Sequence, residues 1–172
     1  MSIKEEIARS LSDGDIKRFL KGHTKIIQYK DLKKYNNIDD LLAPYGHVII
    51  LYMTAPNYGH WTLIMKRPPN EVHFFDSYGY KPDDEFKFIN NEFRLASDQI
   101  YKKVVHLLYH SPYKITYNEY KLQGKSTKKQ PVSTCGRWCL GRLVNGNLDE
   151  HQFAGCFRGK NKDAQITNYI KI

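Results

Sequence analysis

Three closely spaced apolar runs form the centre of the chain. The segment 47–53 is nearly all apolar and rich in β-branched residues, which predicts a buried central strand. The segments 60–65 and 71–76 follow after short stretches of turn-forming residues and predict a second and a third strand. Because Pro68 and Pro69 cannot continue a strand ladder, we expect a tight turn between the last two strands.

Apolar residues at helical spacing flank this centre on both sides. The stretch 7–20 predicts short helical pieces, broken near Gly14 and stopped at Gly22. Three- and four-residue spacing predicts helices between 82 and 110. Further predicted elements are strands at 24–29 and 113–117, helical turns at 31–35 and 38–42, and helices that start at Cys135, Glu150 and Ala164.

Length and charge bound the possibilities further. A chain of 172 residues predicts a single domain, 1–172, with a sizeable core. The formal net charge is +9, which suits a polyanion such as nucleic acid and suits equally a basic protein with no such partner. No apolar run is long enough to span a membrane, and the charged start lacks the apolar core of a signal peptide. We therefore expect a soluble protein that is not secreted and has no membrane partner.

One of the three cysteines has the setting of a nucleophile. Cys135 follows a polar loop and is the first residue of a predicted helix, where exposed N–H groups and the helix dipole favour a thiolate. Cys139 and Cys156 are expected to be core residues. Cys135 and Cys139 with histidines form an alternative zinc site, but no second paired ligand motif is present and we expect no metal. With no CxxC pair, a disulfide framework is not expected either.

The predicted hairpin supplies a base for this cysteine. If Lys66 lies opposite Asn70 at the turn, antiparallel pairing places His60 directly opposite Asp76. A carboxylate in that position would fix the imidazole tautomer and stabilise the imidazolium. A register slip of one residue would separate the two side chains onto opposite faces. Gln130 and the Cys135 backbone N–H are candidates for holding an oxyanion.

These motifs together resemble a known family. Gly59-His60-Trp61, then 74–79, then Gln130 and Cys135-Gly136 are similar in order to adenain, the adenovirus maturation protease, in a superfamily that includes the SUMO-specific proteases. The resemblance covers about residues 46–145, the expected catalytic core. It implies an α+β fold in which a central, mostly antiparallel sheet packs against the nucleophile helix, the papain-like cysteine protease core of adenain type.

The resemblance also implies a role for each residue. His60 would be the base, Asp76 its orienting partner, Cys135 the nucleophile and Gln130 part of the oxyanion hole. Trp61 would line the substrate groove as well as pack against its neighbours. These roles make the protein a cysteine endopeptidase that cleaves viral structural precursors after small residues, at Gly-Gly or Gly-x-Gly sites, during virion maturation.

The sequence departs from the family pattern at three points. Gln130 lies five residues before Cys135, where six or seven are usual, so Gln123 remains a second candidate. Thr134 stands where SUMO-type proteases usually carry Asp, which favours the viral branch. No cysteine precedes Cys135, so the disulfide-linked peptide cofactor of adenain is not expected.

Partners follow from the same resemblance. Precursor polypeptides are the expected substrates of a monomer found in the virion and in the host cytoplasm or nucleus. No cofactor is expected apart from stimulation by DNA, which the net charge permits. Lys125, Lys128 and Lys129 are either DNA contacts or a solvated loop. Two other functions stay open: a deconjugating isopeptidase for a ubiquitin-like modifier, and a non-catalytic basic DNA-associated virion protein.

Overall fold

A five-stranded sheet runs through the centre of the computed structural model, which describes residues 1–172. Its strands follow chain order across the sheet: β1 (Ile26–Gln28), β2 (His47–Ala55), β3 (Tyr58–Arg67), β4 (Glu71–Phe75) and β5 (Lys114–Tyr117). The two central pairs, β2–β3 and β3–β4, are antiparallel, and the outer pairs, β1–β2 and β4–β5, are parallel. The long antiparallel ladders therefore lie at the centre, as expected.

Helices cover both faces of this sheet. The α-helices are α1 (Ile3–Ala8), α2 (Asp13–Phe19), α3 (Ile38–Leu42), α4 (Asn91–Ala96), α5 (Lys103–Tyr109), α6 (Cys135–Val144), α7 (Glu150–Gly155) and α8 (Lys162–Tyr169). Two 3-10 helices, Tyr29–Lys34 and Asp84–Phe88, complete the set. The longest helix, α6, begins at Cys135 as the sequence predicts. None of the helices has the length and apolar character needed to cross a bilayer.

Alternating residues of β3 pack into two separate hydrophobic cores, one on each face of the sheet. Leu63 packs into the core that contains Trp138 and Leu140 of α6. Ile64 points the other way, into the core that contains Val104 of α5. This alternation is the two-residue period of a strand buried on both faces. The predicted α+β class, with a sheet packed against the nucleophile helix, is thus confirmed.

The predicted break near Gly14 is wrong. Gly14 lies inside α2, and the chain breaks earlier, between α1 and α2. Each of these short helices starts with a capping box, Ser2 with Glu5 and Ser12 with Asp15, in which both side chains satisfy backbone N–H groups. The caps therefore decide where these helices begin, and the glycine does not interrupt them.

The β3–β4 register also differs from the prediction, by two residues. Ile64 pairs with Phe74, and the ladder extends to Arg67 opposite Glu71, whose side chains form an ion pair of 2.6 Å. The reversal therefore begins one residue later than predicted. Because the shift is an even number, every side chain keeps its face of the sheet. His60 and Asp76 remain on the same side, but diagonally rather than directly opposed.

Candidate active site

Cys135 lies at the start of α6, where the helix meets β3. Its side chain is largely buried, with 7% of the residue exposed. No side chain caps the helix start, because the Thr134 hydroxyl donates instead to Asp163 at 2.7 Å. The backbone N–H of Trp61 points at the Cys135 sulfur, with 3.4 Å between nitrogen and sulfur. The sulfur thus faces a backbone donor and lies at the start of the helix.

His60 and Asp76 meet at the end of the central hairpin. Nε2 of His60 lies 3.1 Å from Oδ1 of Asp76, and both residues are buried. The same carboxylate oxygen accepts the backbone N–H of Tyr78 at 2.8 Å, which fixes its position. The Tyr78 ring stacks on the imidazole with 5.0 Å between centroids. The structure therefore brings together the two residues that the sequence paired.

The electrostatics of His60 link this pair to Cys135. Burial alone would lower the pKa of His60, but the Asp76 carboxylate and the nearby Cys135 side chain outweigh it and hold the pKa well above its usual value. Asp76 and Cys135 thus favour the protonated form of the His60 imidazole. Cys139 differs, because burial and the charges of Cys135 and Asp76 raise the pKa of its thiol. Cys139 belongs to the core, as predicted, whereas Cys156 is exposed, so its assignment to the core is wrong.

The two candidate amides have different surroundings. Gln130 is exposed, and its backbone N–H donates to the Thr127 hydroxyl at 3.0 Å. Gln123 is 2% exposed, and its side-chain oxygen accepts the Ser77 hydroxyl at 2.6 Å. Both glutamines line one cleft of about 710 Å³. Gln130 remains the predicted oxyanion donor, but Gln123 is the amide that the fold holds in place beside the Asp76–Ser77 segment.

Trp61 is anchored by the N-terminal segment. Its indole N–H donates to the Leu11 carbonyl at 2.9 Å, and it lines a groove of about 490 Å³ that also contains Tyr58 and Gly59. Leu11 packs in turn against Gly136, where an added Cβ would lie 3.1 Å from the Leu11 Cβ. Trp61 therefore both packs and lines a groove, while its role in binding substrate stays a prediction.

Glu85 is a member of the cluster that sequence reasoning missed. It lies on the 3-10 helix Asp84–Phe88, is 8% exposed, and its Oε2 has no hydrogen-bond partner. One polar side-chain atom from each of His60, Asp76 and Glu85 lies within 4.8 Å of the other two. Burial raises the pKa of Glu85 to about 7, with His60 lowering it and Asp76 raising it. Its sequence neighbourhood is a short acidic run that carries no signal of this contact.

The same three side chains are compact enough to be compared with a metal-ligand set. A histidine nitrogen binds a metal only when it has lost its proton. Asp76 holds a proton on His60, since the pKa of the imidazole is raised. We therefore interpret the cluster as a proton site and do not assign these residues as metal ligands.

The predicted basic loop lies at the surface. Lys125, Lys128 and Lys129 are exposed, and none of them forms an ion pair. They precede Gln130 and the cleft that it lines. Contact of these lysines with DNA remains a prediction.

Comparison with solved structures identifies the class of fold. The ASFV pS273R protease superposes with a TM-score of 0.50 at 14% sequence identity, over 96% of this chain and 69% of that one. ChlaDub1 from Chlamydia trachomatis shows a TM-score of 0.37 at 16% identity, over 97% of this chain and 72% of that one. The chain thus shares the α+β fold of the ASFV pS273R protease.

Sequence comparison places the chain in a family. It is 41% identical over 144 residues to the uncharacterized protein V9 of Sputnik virophage, covering 84% of this chain and 81% of that protein. No protein-family model matches. The chain belongs to the family of the virophage protein V9.

Proposed function

We propose that this protein is a cysteine endopeptidase with Cys135 as nucleophile, His60 as general acid and base, and Asp76 as the residue that orients His60. The observation that carries the proposal is the convergence of these side chains at one buried point. They come from α6, from β3 and from the end of β4. His60 contacts Asp76 at 3.1 Å, and its pKa is raised by Asp76 and Cys135 together.

The geometry supports a two-step acyl transfer. The Cys135 thiolate attacks the peptide carbonyl, and the oxyanion is held by the backbone N–H at the start of α6 and by a side-chain amide, Gln130 or Gln123. His60 then gives its proton to the leaving amine, which departs and leaves a thioester. Neutral His60 next takes a proton from water as the water attacks the thioester, and this step frees the acid product and restores the Cys135 thiolate beside the His60 imidazolium. Asp76 holds the imidazole in position throughout.

We propose viral structural precursors as the substrates, cut after small residues at Gly-Gly or Gly-x-Gly sites during virion maturation. The resemblance to adenain supports this choice, as do the family relationship to a virophage protein and the fold shared with a viral protease. The groove that Tyr58, Gly59 and Trp61 line offers an extended peptide a place to bind. DNA is a proposed stimulating partner, because the net charge is +9 and the lysines before Gln130 are free of ion pairs.

The proposal is tested by incubating the purified chain with Gly-Gly-x and Gly-x-Gly-x peptides and with precursor proteins of the virus that encodes it. We expect cleavage by the wild type and by Cys156→Ser, and none by Cys135→Ala. Cys156 is a matched control because it is exposed and lies outside the cluster. Equal cleavage by wild type and Cys135→Ala would refute the proposal.

A second arm separates the alternatives. A ubiquitin-like protein carrying a C-terminal electrophile is offered at equal concentration to the peptide substrate. Reaction of Cys135 with this probe, without peptide cleavage, would favour a deconjugating isopeptidase. No reaction with either substrate, together with binding to DNA, would favour a non-catalytic DNA-associated protein.

A further inference from the structure

The His60–Asp76 pair has an acidic neighbour that the proposed reaction does not use. Glu85 approaches both residues, so that one polar atom from each of the three side chains lies within 4.8 Å of the other two. Its Oε2 is buried and has no hydrogen-bond partner. Buried polar atoms are almost always paired, because an unmade hydrogen bond in the interior is costly. A carboxyl left unpaired at this point therefore requires an explanation.

The surroundings of Glu85 restrict what that explanation can be. The titratable groups that face it are His60 from β3, Asp76 and Tyr78 from the segment after β4, and Tyr80. Among these groups His60 is the cation. No lysine or arginine forms an ion pair with Glu85. The imidazolium is thus the one positive charge against which an ionised Glu85 can be balanced.

We propose that Glu85 is a positioning residue for His60: when ionised, it supports the imidazolium jointly with Asp76, and when protonated, it withdraws that support. This inference rests on the proposed function, since it assigns a regulatory acid to the same site. Glu85 is not placed in contact with substrate, and it acts only through the histidine.

The proposed device would respond to pH in the neutral range. Burial raises the pKa of Glu85 to about 7, so its charge changes where most side chains keep theirs. Gain of this second negative charge strengthens the hold of His60 on its proton. At an effective dielectric constant of about 20, a charge within 4.8 Å changes a neighbouring pKa by ~2 to 3 units. The imidazolium, and with it the thiolate–imidazolium pair, would then persist to higher pH.

The direct test is an NMR titration of the His60 ring in an inactive background. Cys135→Ala is compared with the double variant Cys135→Ala, Glu85→Gln. We expect the second substitution to lower the His60 pKa by ~1 unit or more. Glu85→Asp keeps the negative charge but places it farther from His60. The His60 pKa of this variant should lie between the values with Glu and with Gln at position 85. A His60 pKa that is the same with Glu and Gln at position 85 would overturn the proposal.

A matched control separates this local effect from a general change in charge. Asp84→Asn makes the same charge change one residue away, where the carboxylate is partly exposed and paired with Lys87 at 3.5 Å. We expect the His60 pKa to be unchanged in this control. A shift as large as that caused by Glu85→Gln would show a long-range effect of net charge and would also overturn the proposal.

Activity provides a second readout. The ratio of wild-type to Glu85→Gln kcat/KM should stay near one at pH 6 and rise at least threefold by pH 8.5, while Asp84→Asn tracks the wild type. A constant ratio over this range would count against a charge-dependent role. The ring titration needs no catalysis, so failure there removes the role of Glu85 and leaves the peptidase proposal intact. Absence of cleavage by the wild type would remove the peptidase and leave the titration result standing.

Discussion

The backbone N–H of Trp61 points at the sulfur of Cys135 across 3.4 Å. Trp61 is the residue after His60, so one stretch of β3 delivers both the imidazole and a donor for the thiolate. Because the strand fixes its own backbone within the sheet, the sulfur is located relative to the histidine without depending on a flexible side chain.

Alkylation rates should report this arrangement. At pH 6 we expect iodoacetamide to modify Cys135 at least ~10-fold faster than Cys156, although Cys156 is exposed and Cys135 is largely buried, because the imidazolium and the helix start favour the reactive thiolate. Peptide mapping by mass spectrometry measures both rates in one sample. Cys139 should remain unmodified in the folded protein, since burial raises the pKa of its thiol. Faster modification of Cys156 than of Cys135 would contradict the assignment of the nucleophile.

Replacement of Asp76 should weaken catalysis and change its pH dependence. Asp76→Asn removes the charge that holds the pKa of His60 high, so the imidazolium should lose its proton at lower pH. We expect kcat/KM to fall by ~10² to 10⁴ and its alkaline limb to move toward neutral pH. Asp98→Asn is a suitable control, because Asp98 is exposed and pairs only with surface lysines. An unchanged alkaline limb in Asp76→Asn would argue against the orienting role.

Substituting Gln123 and Gln130 one at a time shows which of them holds the oxyanion. Anchoring to Ser77 and burial favour Gln123 as the oxyanion donor, whereas Gln130 is the glutamine nearer to Cys135 in sequence, five residues before it. Loss of an oxyanion-hole donor costs ~10² to 10³ in kcat with little change in KM. We therefore expect Gln123→Ala to show the larger loss of kcat, with both variants compared in melting temperature. A large loss in Gln130→Ala alone would show that the surface loop closes over substrate.

The buried carboxyl of Glu85 should make stability depend on pH. Its folded pKa, about 7, lies above the usual 4.5, so folding favours the protonated form. Wild type should therefore lose stability relative to Glu85→Gln as pH rises from about 4.5 to about 7, by about 3 kcal/mol in all, and the difference should then level off. Urea unfolding at several pH values measures this difference in the free energy of unfolding between wild type and Glu85→Gln. A difference that does not vary with pH would mean that Glu85 ionises normally in the folded protein.

Binding to DNA should depend on salt through the loop lysines. If Lys125, Lys128 and Lys129 contact phosphates, replacing all three by Gln should reduce the slope of log K against log salt by ~2 to 3. Replacement of Lys21, Lys30 and Lys114, which are exposed elsewhere, provides the same change in net charge. Fluorescence anisotropy with a labelled duplex measures both slopes. Identical slopes in the two triple variants would assign any binding to net charge rather than to this loop.

The local parts of this structure were accessible from sequence. Apolar runs gave the central strands, and the setting of Cys135 gave the start of α6. The pairing of His60 with Asp76 was reached from a register that is wrong by two residues, because an even shift keeps both side chains on one face. Side-chain alternation is therefore a more robust guide than the exact partner in a hairpin.

What the sequence could not show are contacts between distant segments. Ser77 holds Gln123 across 46 positions, and no periodic pattern records such a pair. Glu85 reaches the histidine from a short 3-10 helix whose acidic neighbours resemble a solvated turn. Leu11 and Trp61 are 50 positions apart, and the Leu11 carbonyl accepts the Trp61 indole N–H. Each of these contacts is decided by tertiary packing, which local propensity does not encode.

The contacts of the N-terminal segment also restrict when the site can form during synthesis of the chain. Glu6 pairs with Arg137, 131 positions later, and the Ile7 carbonyl accepts the Ser133 N–H at 2.8 Å. The segment that contains Glu6 and Ile7 is thus held in place by residues made more than a hundred positions later. A nascent chain cannot assemble the cysteine centre until that later segment has emerged and the early segment has closed onto it. During synthesis, the contacts that hold the N-terminal segment therefore form only after the start of α6 has been made.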